Sequence, residues 1–591
     1  MKREIRAGTL VGFAGPGAVV DIGNESFIVP PIYRWHRNAF QRLDLPRLSG
    51  RLGKALRAVE GSRSTLPAQR FPASLFCESC RNLIQWKTEM EEKGKAPRCP
   101  RCERRGTLVP MRFVLACENG HLQDFPWHLW AHSGDYVDRD CTERSRLKFE
   151  VRASGGETGL ASLQVRCTEC GSRRDLGDIT SRREIGRLLH RCHGRHPWHR
   201  QSEECDAKPE VLQRGATNLH YPVTLSALDI PSLSEEDDTT AYRDLVQGHD
   251  KYPRLRELMA AGGSETEELR QILTEMIASD TGVRQEVVSG IAEAKTDGRD
   301  STEVREHVLD QDCLLQEEWQ TLTGAMERGS LRSRTFIAET ESANTGLPRW
   351  ASSLIDGILL IHRLREVSVF TGFQRIRPGA GSARVAADPR GSEDWLPAAE
   401  RFGEGVLFRI SSSVLRHWEA SLPAGQKSHI ETLEAQRVAE EYWFLPPVTP
   451  TLIAVHTLSH LLLRRITFEC GYSSSSLNER LYIDPVTGQA GILIYTGDGD
   501  SEGSLGGLVR QGRNDRIGQT LHDAVEEARW CSSDPVCSET SGQGLGGFNR
   551  AACHACTLVS ETSCTMANTL LDRRLLLDSE VGLINFAEST G

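Results

Sequence analysis

The sequence predicts a multidomain α+β protein: mixed helices and short sheets stapled by four-cysteine zinc sites, with an acidic helical insertion. Three observations predict it. At 591 residues the chain is far longer than the roughly 250–300 residues at which single cores stop growing. Its seventeen cysteines include four Cys-x-x-Cys pairs, a spacing that lets one tight turn present two thiolates to one metal. Apolar strand-like runs and helical periodicities alternate along it, and residues 234–320 carry 22 Asp/Glu against 9 Lys/Arg.

Charge and hydropathy narrow the functional classes. The net charge of −10 excludes a uniformly basic nucleic-acid coat, but the acidic block alone accounts for −13, which leaves +3 for the rest. No run approaches the roughly 18 apolar residues that a membrane span needs. The stretch Met1 to Val20 is interrupted by Gly8, Gly12, Gly15, Pro16 and Gly17, so it does not read as a signal peptide. The expectation is a cytoplasmic protein with no membrane partner, in a reducing compartment where cysteines bind metal or stay free.

Residues 1–70 read as a small β region with a basic arm. Short strands are expected at Thr9–Phe13, Ala18–Ile22 and Ser26–Val29. Phe13-Ala-Gly-Pro-Gly17 lacks the Gly-Lys-Ser/Thr ending of a phosphate loop, which favours a structural turn. Arg37–Arg70 holds eight cations against Asp44 and Glu60. Its simplest reading is a solvated helical face; the second is a phosphate-contacting arm in which Arg47, Arg51 and Lys54 bind nucleic acid.

Residues 71–145 carry a zinc ribbon and a Cys-x-x-x-His segment. Cys77-x-x-Cys80 and Cys99-x-x-Cys102 bracket a short hairpin and predict a closed four-thiolate site with no coordination position left for water. Cys117 and His121 could be half of another site, joined by Asp124 or His128. The plainer reading is a strand end, a glycine turn and a helix anchored by Trp127 and Trp130.

Residues 146–232 form a second zinc-binding α+β region, with Cys167, Cys170, Cys192 and Cys205 as ligands and His190, His193, His196 or His199 as possible substitutes. A helix is expected between them, over Ser181–Leu189. Residues 233–345 are the acidic helical insertion, and 346–450 a mixed α/β region with apolar Ile355–Leu364, a strand at Gly405–Ile410 and a helix at Val414–Leu422.

Residues 451–591 open with an apolar helix, Thr451–Thr467, followed by a strand, Gly491–Tyr495, an acidic glycine-rich turn and five cysteines. Cys553-x-x-Cys556 supplies one knuckle and Cys564 follows it. One of Cys531 and Cys537 completes the set; the turn at Asp534-Pro535 favours Cys537, but the sequence leaves both open. His456 and His460 stand four apart on one helix face, which is metal-ligand spacing, and with Asp498 and Asp500 they suggest a metal-dependent nuclease. Leu452, Val455, Ser459 and Leu463 surround them, which argues instead for buried, hydrogen-bonded histidines.

The strings "AACHAC", "ETSC" and "LLDR" at the C-terminal end, with "CENGHLQDFPW", "LREVSVFTGFQRI" and "GEGVLFRI" before them, resemble the DrmB family, the accessory proteins of the bacterial DISARM anti-phage system. The C-terminal region also resembles the helicase-associated domain of MrfA-type repair helicases. The resemblance implies a non-catalytic subunit that pairs with a DrmA-type DNA helicase as a heterodimer, binds DNA and restricts phage, with zinc in the terminal cysteine cluster. The sequence shows no Walker A loop, helicase motor pattern, His-Glu-x-x-His, Gly-x-Ser-x-Gly or paired His-x-Lys motif, in keeping with that implication. Three thiolate clusters give an expectation of about three zinc ions. The rival readings are the nuclease and a stand-alone zinc-ribbon nucleic-acid binder.

Overall fold

In the computed structural model, helices and small sheets interleave along the chain; the described residues are 7–590 apart from 38–39, 60–65, 93, 135–139, 153–157, 232–245, 248, 262–266, 282, 284, 294–310, 342–345, 380–381, 443, 474 and 498–506. The chain divides into two compact units, one made of residues 1–43, 55–225 and 368–399, the other of 44–54, 226–367 and 400–591. It passes between them five times, three of them within the strands Tyr221–Leu228, Ile355–Gln374 and Trp395–Ile410.

The first unit is built from short antiparallel ladders. One sheet runs Arg173–Asp175, Leu163–Cys167, Leu147–Val151, Asn82–Gln85, Ser74–Cys77 and Leu108–Pro110. A second places Phe113–Ala116 between Leu122–Asp124 and Glu210–Gln213. A third holds Val19–Ile22, Glu25–Ile28 and Gln69–Arg70. The first two share an aromatic core: Phe113, Phe125, Trp127, Trp130, Leu147 and Val165 are buried together. The indole N–H of Trp130 donates to the Asp175 carbonyl at 3.0 Å, and the Arg174 guanidinium lies 3.9 Å over its ring. The helix expected around 181–189 spans Arg182–Leu188, with Ser181 as its cap.

Thr9–Phe13 is not a strand. Ala7–Leu10 is a helical turn, and the Thr9 carbonyl accepts from both Gly12 and Ala14, so this glycine-flanked segment satisfies itself locally rather than in a ladder. The glycine turn after it is structural: a Cβ on Gly17, whose φ is +85°, would lie 2.2 Å from the Phe373 ring.

In the second unit a sheet runs Ser330–Arg332, Ile337–Thr340, Ile355–Gln374, Trp395–Ile410, Gln489–Thr496 and Leu477–Asp484. Its central strands are buried on both faces, which is why their sequences read as unbroken apolar runs. Leu359, Ile361, Leu407 and Leu493 face one core with Trp319 and Leu322 of the Gln311–Arg328 helix. Ile358, Leu360, Val406, Phe408, Ile492 and Ile494 face another, with the Pro450–Cys470 helix.

That helix buries 13 of its 21 residues, all round its circumference, as a central helix must. Thr449 caps it, its hydroxyl accepting from the Leu452 amide at 3.1 Å, Pro450 opens it, and Gly471 at φ +68° closes it.

The acidic insertion divides in two. Tyr252–Ala261, Glu267–Thr281 and Gln285–Glu293 pack on one another around Tyr252, Leu255, Ile277, Val288 and Ile291. The Gln311–Arg328 helix instead belongs to the sheet. Its Glu318 is fully buried, 2.7 Å from Arg480, and accepts from the Tyr482 hydroxyl at 3.0 Å and the Leu228 amide at 2.9 Å. Removing one partner of such a pair costs about 3–5 kcal/mol, because the other charge is left unmatched.

Candidate metal centres

Fifteen of the seventeen cysteines gather into five four-donor clusters whose ligand atoms lie within 4.8 Å of one another. Three belong to the first unit, and each grows from a hairpin turn.

Cys77 ends one strand and Cys80 sits in the turn before the next, while Cys99 and Cys102 come from the loop that leads into Leu108–Pro110. The Sγ atoms of Cys77 and Cys102 stand 3.8 Å apart, those of Cys80 and Cys99 3.7 Å. The Asn82 side-chain amide donates to Cys80 at 3.0 Å and the Arg101 amide to Cys99 at 3.4 Å. Sulfur accepting N–H bonds while facing three other sulfurs is the environment of a ligating thiolate.

The expected set of Cys167, Cys170, Cys192 and Cys205 divides between two clusters. Cys167 and Cys170 lie on a hairpin of the six-stranded sheet and meet Cys141 and His132. His132 follows the Trp127–Ala131 helix; its Nδ1–H donates to the His128 carbonyl at 2.8 Å, which turns Nε2 toward Cys170 at 3.3 Å. Cys192 and Cys205 lie in a loop that folds onto the three-stranded sheet, where Cys117 and His121 flank the Gly120 turn.

All four residues of this last cluster are buried, and His121 Nδ1 is 3.4 Å from Cys117 Sγ. Its other ring nitrogen is 3.4 Å from Glu203, the carboxylate–histidine arrangement that orients a metal-bound imidazole. The loop depends on Gly194, where a Cβ would meet the Glu203 carbonyl oxygen at 1.7 Å. Asp124, weighed as a ligand, instead accepts the Ala73 and Ser74 amides at 3.1 and 2.8 Å. None of His190, His193, His196 or His199 joins a four-donor cluster described here.

In the second unit Cys531 and Cys537 both meet Cys553 and Cys556, so the choice expected between the first two does not arise. The closest sulfur pairs are 3.5 Å (Cys531–Cys553) and 3.8 Å (Cys537–Cys556). Arg573 ties this cluster to its surroundings. It makes a two-pronged bond to Asp534 at 2.9 and 3.0 Å and donates to the carbonyls of Ala528 and Ala551 at 2.8 and 3.2 Å. Asp534 in turn accepts the Cys531 amide at 2.9 Å.

Cys564, expected in that set, lies instead with His456, His460 and Glu479, all four of them fully or nearly fully buried. Asp498 and Asp500, the carboxylates of the nuclease reading, lie outside the described residues.

One thiol in each cysteine-rich cluster is poised to ionise at or below neutral pH, as ligation requires. Burial opposes ionisation at Cys80, Cys170 and Cys553, but hydrogen bonds bring them to about 7, about 6 and about 7. For Cys192 the hydrogen bond with Cys117, opposed by burial and helped by the His121 ring, brings it to about 4. Four thiolates, or three thiolates and one imidazole, are donor sets that zinc takes in closed tetrahedral sites.

The basic arm takes a different form from the expected helical face. It comprises the strand Gln41–Leu43, the helix Pro46–Leu52 and the strand Ala55–Ala58. Arg47 and Arg51 both pair with Glu317, Arg47 at 3.2 Å, and Arg47 also donates to the Leu228 and Leu314 carbonyls at 3.1 and 3.3 Å. Lys54 is half-buried. Arg37 pairs with Asp394 at 2.9 Å, and Arg70 with Glu91 and Glu25 at 2.6 and 3.2 Å. These cations are engaged within the fold because carboxylates distant in sequence come to meet them.

Sequence reasoning missed His132, Cys141, Glu479 and Arg573. Only Cys141 carried a signal, being a cysteine in a metal-rich region without a near partner. The other three act from separate elements. Among the described residues no helix is long and apolar enough to cross a membrane.

Two known families match the chain: a domain of unknown function (DUF8724) over residues 6–221, and the MrfA Zn-binding domain over residues 458–557. The first match spans all three clusters of the first unit, and the second spans Cys531, Cys537, Cys553 and Cys556. The chain is also 30% identical over 588 residues to the DISARM protein DrmB of Bacillus paralicheniformis, an alignment that covers 94% of this chain and 97% of that protein.

Proposed function

The chain belongs to the DrmB family of DISARM proteins, and on that premise we propose that it is the non-motor accessory subunit of a DISARM-type phage-defence complex, a zinc-stapled scaffold that partners a DrmA-type DNA helicase and contributes to DNA binding. The observation that carries this reading is the closure of the cysteine clusters. Every donor position is filled by a thiolate or an imidazole of the chain, so bound zinc keeps no open position for water and serves structure rather than hydrolysis. Zinc, when bound, supplies short bonds that lock each hairpin turn. The residues around it, Asn82, Glu203 and Arg573 among them, hold the ligands in place.

In this reading the ATP-driven step belongs to the helicase, and the cytoplasm keeps the thiols reduced. The nuclease alternative is disfavoured by burial: His456 and His460 are 0% exposed, so a phosphodiester cannot reach them. A stand-alone nucleic-acid binder is disfavoured by the net charge of −10.

The test is co-expression with the DrmA-type helicase of the same defence cluster. The chain is expected to co-purify with it in a 1:1 complex that binds DNA more tightly than either subunit. Deleting the chain's gene should raise phage plating efficiency. Separate elution of the two proteins, with unchanged plating efficiency, overturns the proposal.

A further inference from the structure

We propose that His456, His460, Glu479 and Cys564 form a metal site of their own, which binds one zinc ion through two imidazole nitrogens, a carboxylate oxygen and a thiolate. The four residues come from three places in the second unit. The histidines are one turn apart on the Pro450–Cys470 helix, Glu479 is on the Leu477–Asp484 strand, and Cys564 is in the loop beyond the four-cysteine cluster.

The hydrogen bonds around the histidines fix which atoms face inward. Nδ1 of His460 is 3.0 Å from the Thr557 carbonyl oxygen, and Nδ1 of His456 is 3.3 Å from that of Leu570. A carbonyl only accepts, so each Nδ1 carries the proton and donates it. In a neutral ring, Nε2 is then a bare lone pair. Both Nε2 atoms point to the same spot, 3.1 and 3.5 Å from Glu479 Oε1, and His456 Nε2 is also 3.3 Å from Cys564 Sγ.

Acceptors thus converge on acceptors. Glu479 Oε1 and His460 Nε2 are buried without a hydrogen-bond partner, although the neighbouring polar atoms are well served. The other Glu479 oxygen accepts from Ser459 at 2.6 Å, and the amides of Met566 and Asn568 both point at Cys564 Sγ at 3.4 Å, an arrangement that favours a thiolate.

A divalent cation resolves this geometry where protons do not. One carboxylate and one thiolate balance its charge, so the filled site is neutral in a place closed to water. Filling the spot with protons instead would need a neutral carboxyl together with a neutral thiol, against two amides that favour the thiolate, or imidazolium charge in rings 4.4 Å apart and fully buried. The paired backbone carbonyls behind the two histidines are the outer support that metal-bound imidazoles use. Mixed nitrogen, oxygen and sulfur donors in a four-coordinate set suit zinc. The matched MrfA Zn-binding segment, 458–557, holds all four cysteines of the neighbouring cluster but neither His456 nor Cys564.

The test uses the full-length protein. Crystals of the unaltered chain, measured on either side of the zinc absorption edge, are expected to give an anomalous peak between His456, His460, Glu479 and Cys564, in addition to those at the cysteine clusters. Elemental analysis of Cys564→Ser and His460→Gln should then show one zinc equivalent fewer than the unaltered protein. Peaks at the cysteine clusters with none at this position overturn the proposal, as does undiminished zinc in a folded variant. Where a variant does not fold, the anomalous measurement on the unaltered protein decides.

Discussion

The two compact units use their candidate metal clusters in opposite ways. In the first, three clusters sit on hairpin turns of small sheets at the edge of the unit's buried aromatics, so a bound metal would brace turns that burial leaves unsupported. In the second, the clusters lie beside a large core built on the Pro450–Cys470 helix, and Cys564 is itself packed into that core. There a bound metal would fasten the 531–571 segment to a scaffold that hydrophobic burial already holds. The lesson is that one ligand chemistry can either create a fold or fix a segment onto one, depending on how much apolar surface lies nearby.

Chelation should break this symmetry most visibly. Structural zinc is worth about 10–16 kcal/mol in small domains, so stripping it should unfold the first unit while the second keeps its sheet. Hydrogen exchange read by mass spectrometry checks this: amides of Phe113–Ala116 and Leu163–Cys167 should lose protection, those of Ile355–Leu364 and Gln489–Thr496 should not. Equal loss in both would erase the distinction.

Glu318→Ala addresses the second unit through its core instead. It removes the nearer of two buried carboxylates at Arg480, leaving Glu366 at 3.5 Å, and strands the Tyr482 hydroxyl and the Leu228 amide. It should cost toward the low end of about 3–5 kcal/mol in urea unfolding, with zinc content unchanged. A fall in zinc would mean that the core and the clusters fold as one.

Acid should reach the first unit through one buried ring. His220, stacked between Phe370 and Phe373, is held to about 3 by burial and by the nearby Arg375 charge. Because its folded pKa is depressed, the unfolded chain takes up the proton first. The stability from the neutral ring is therefore whole above pH ~6.5 and is lost as pH falls toward 3, by about 2 kcal/mol at pH 5. A His220→Phe variant should show a shallower fall in melting temperature between pH 7 and pH 5; an unchanged slope assigns the acid sensitivity to other groups.

The smallest effect is expected from the basic arm. Replacing Arg51 and Lys54 by Glu sets a like charge against Glu317 at the first position and should cost about 1 kcal/mol or less for each residue. The log–log salt dependence of DNA binding by the helicase complex should stay as it was. A slope shallower by about 0.7–0.9 per residue would make these residues phosphate contacts after all.

What could be read from the sequence was local. Cys77-x-x-Cys80 and Cys553-x-x-Cys556 announce themselves because both ligands share one turn, and the apolar runs around Leu359 and Ile492 mark doubly buried strands. Partners chosen by the fold were illegible. Cys167 and Cys192 are only 25 positions apart and read as one set, yet they serve different clusters. Glu479 looked like one more strand residue, and Glu317 like one more charge in an acidic block. The strand Leu477–Asp484 was missed because charged Glu479 and Arg480 interrupt its apolar pattern, and both prove to be buried and paired.

The order of parts along the chain has a further consequence during synthesis. The Pro450–Cys470 helix leaves the ribosome 94 positions before Cys564, and the carbonyls that hold its histidines, those of Thr557 and Leu570, come on either side of that cysteine. At about 5–20 residues per second, an apolar helix with two inward histidines waits roughly 5–20 s for its cover. A chain stalled in that interval offers chaperones and proteases a long uncovered surface. Released chains truncated after residue 530 should therefore be cut within this helix, and the 591-residue chain should resist.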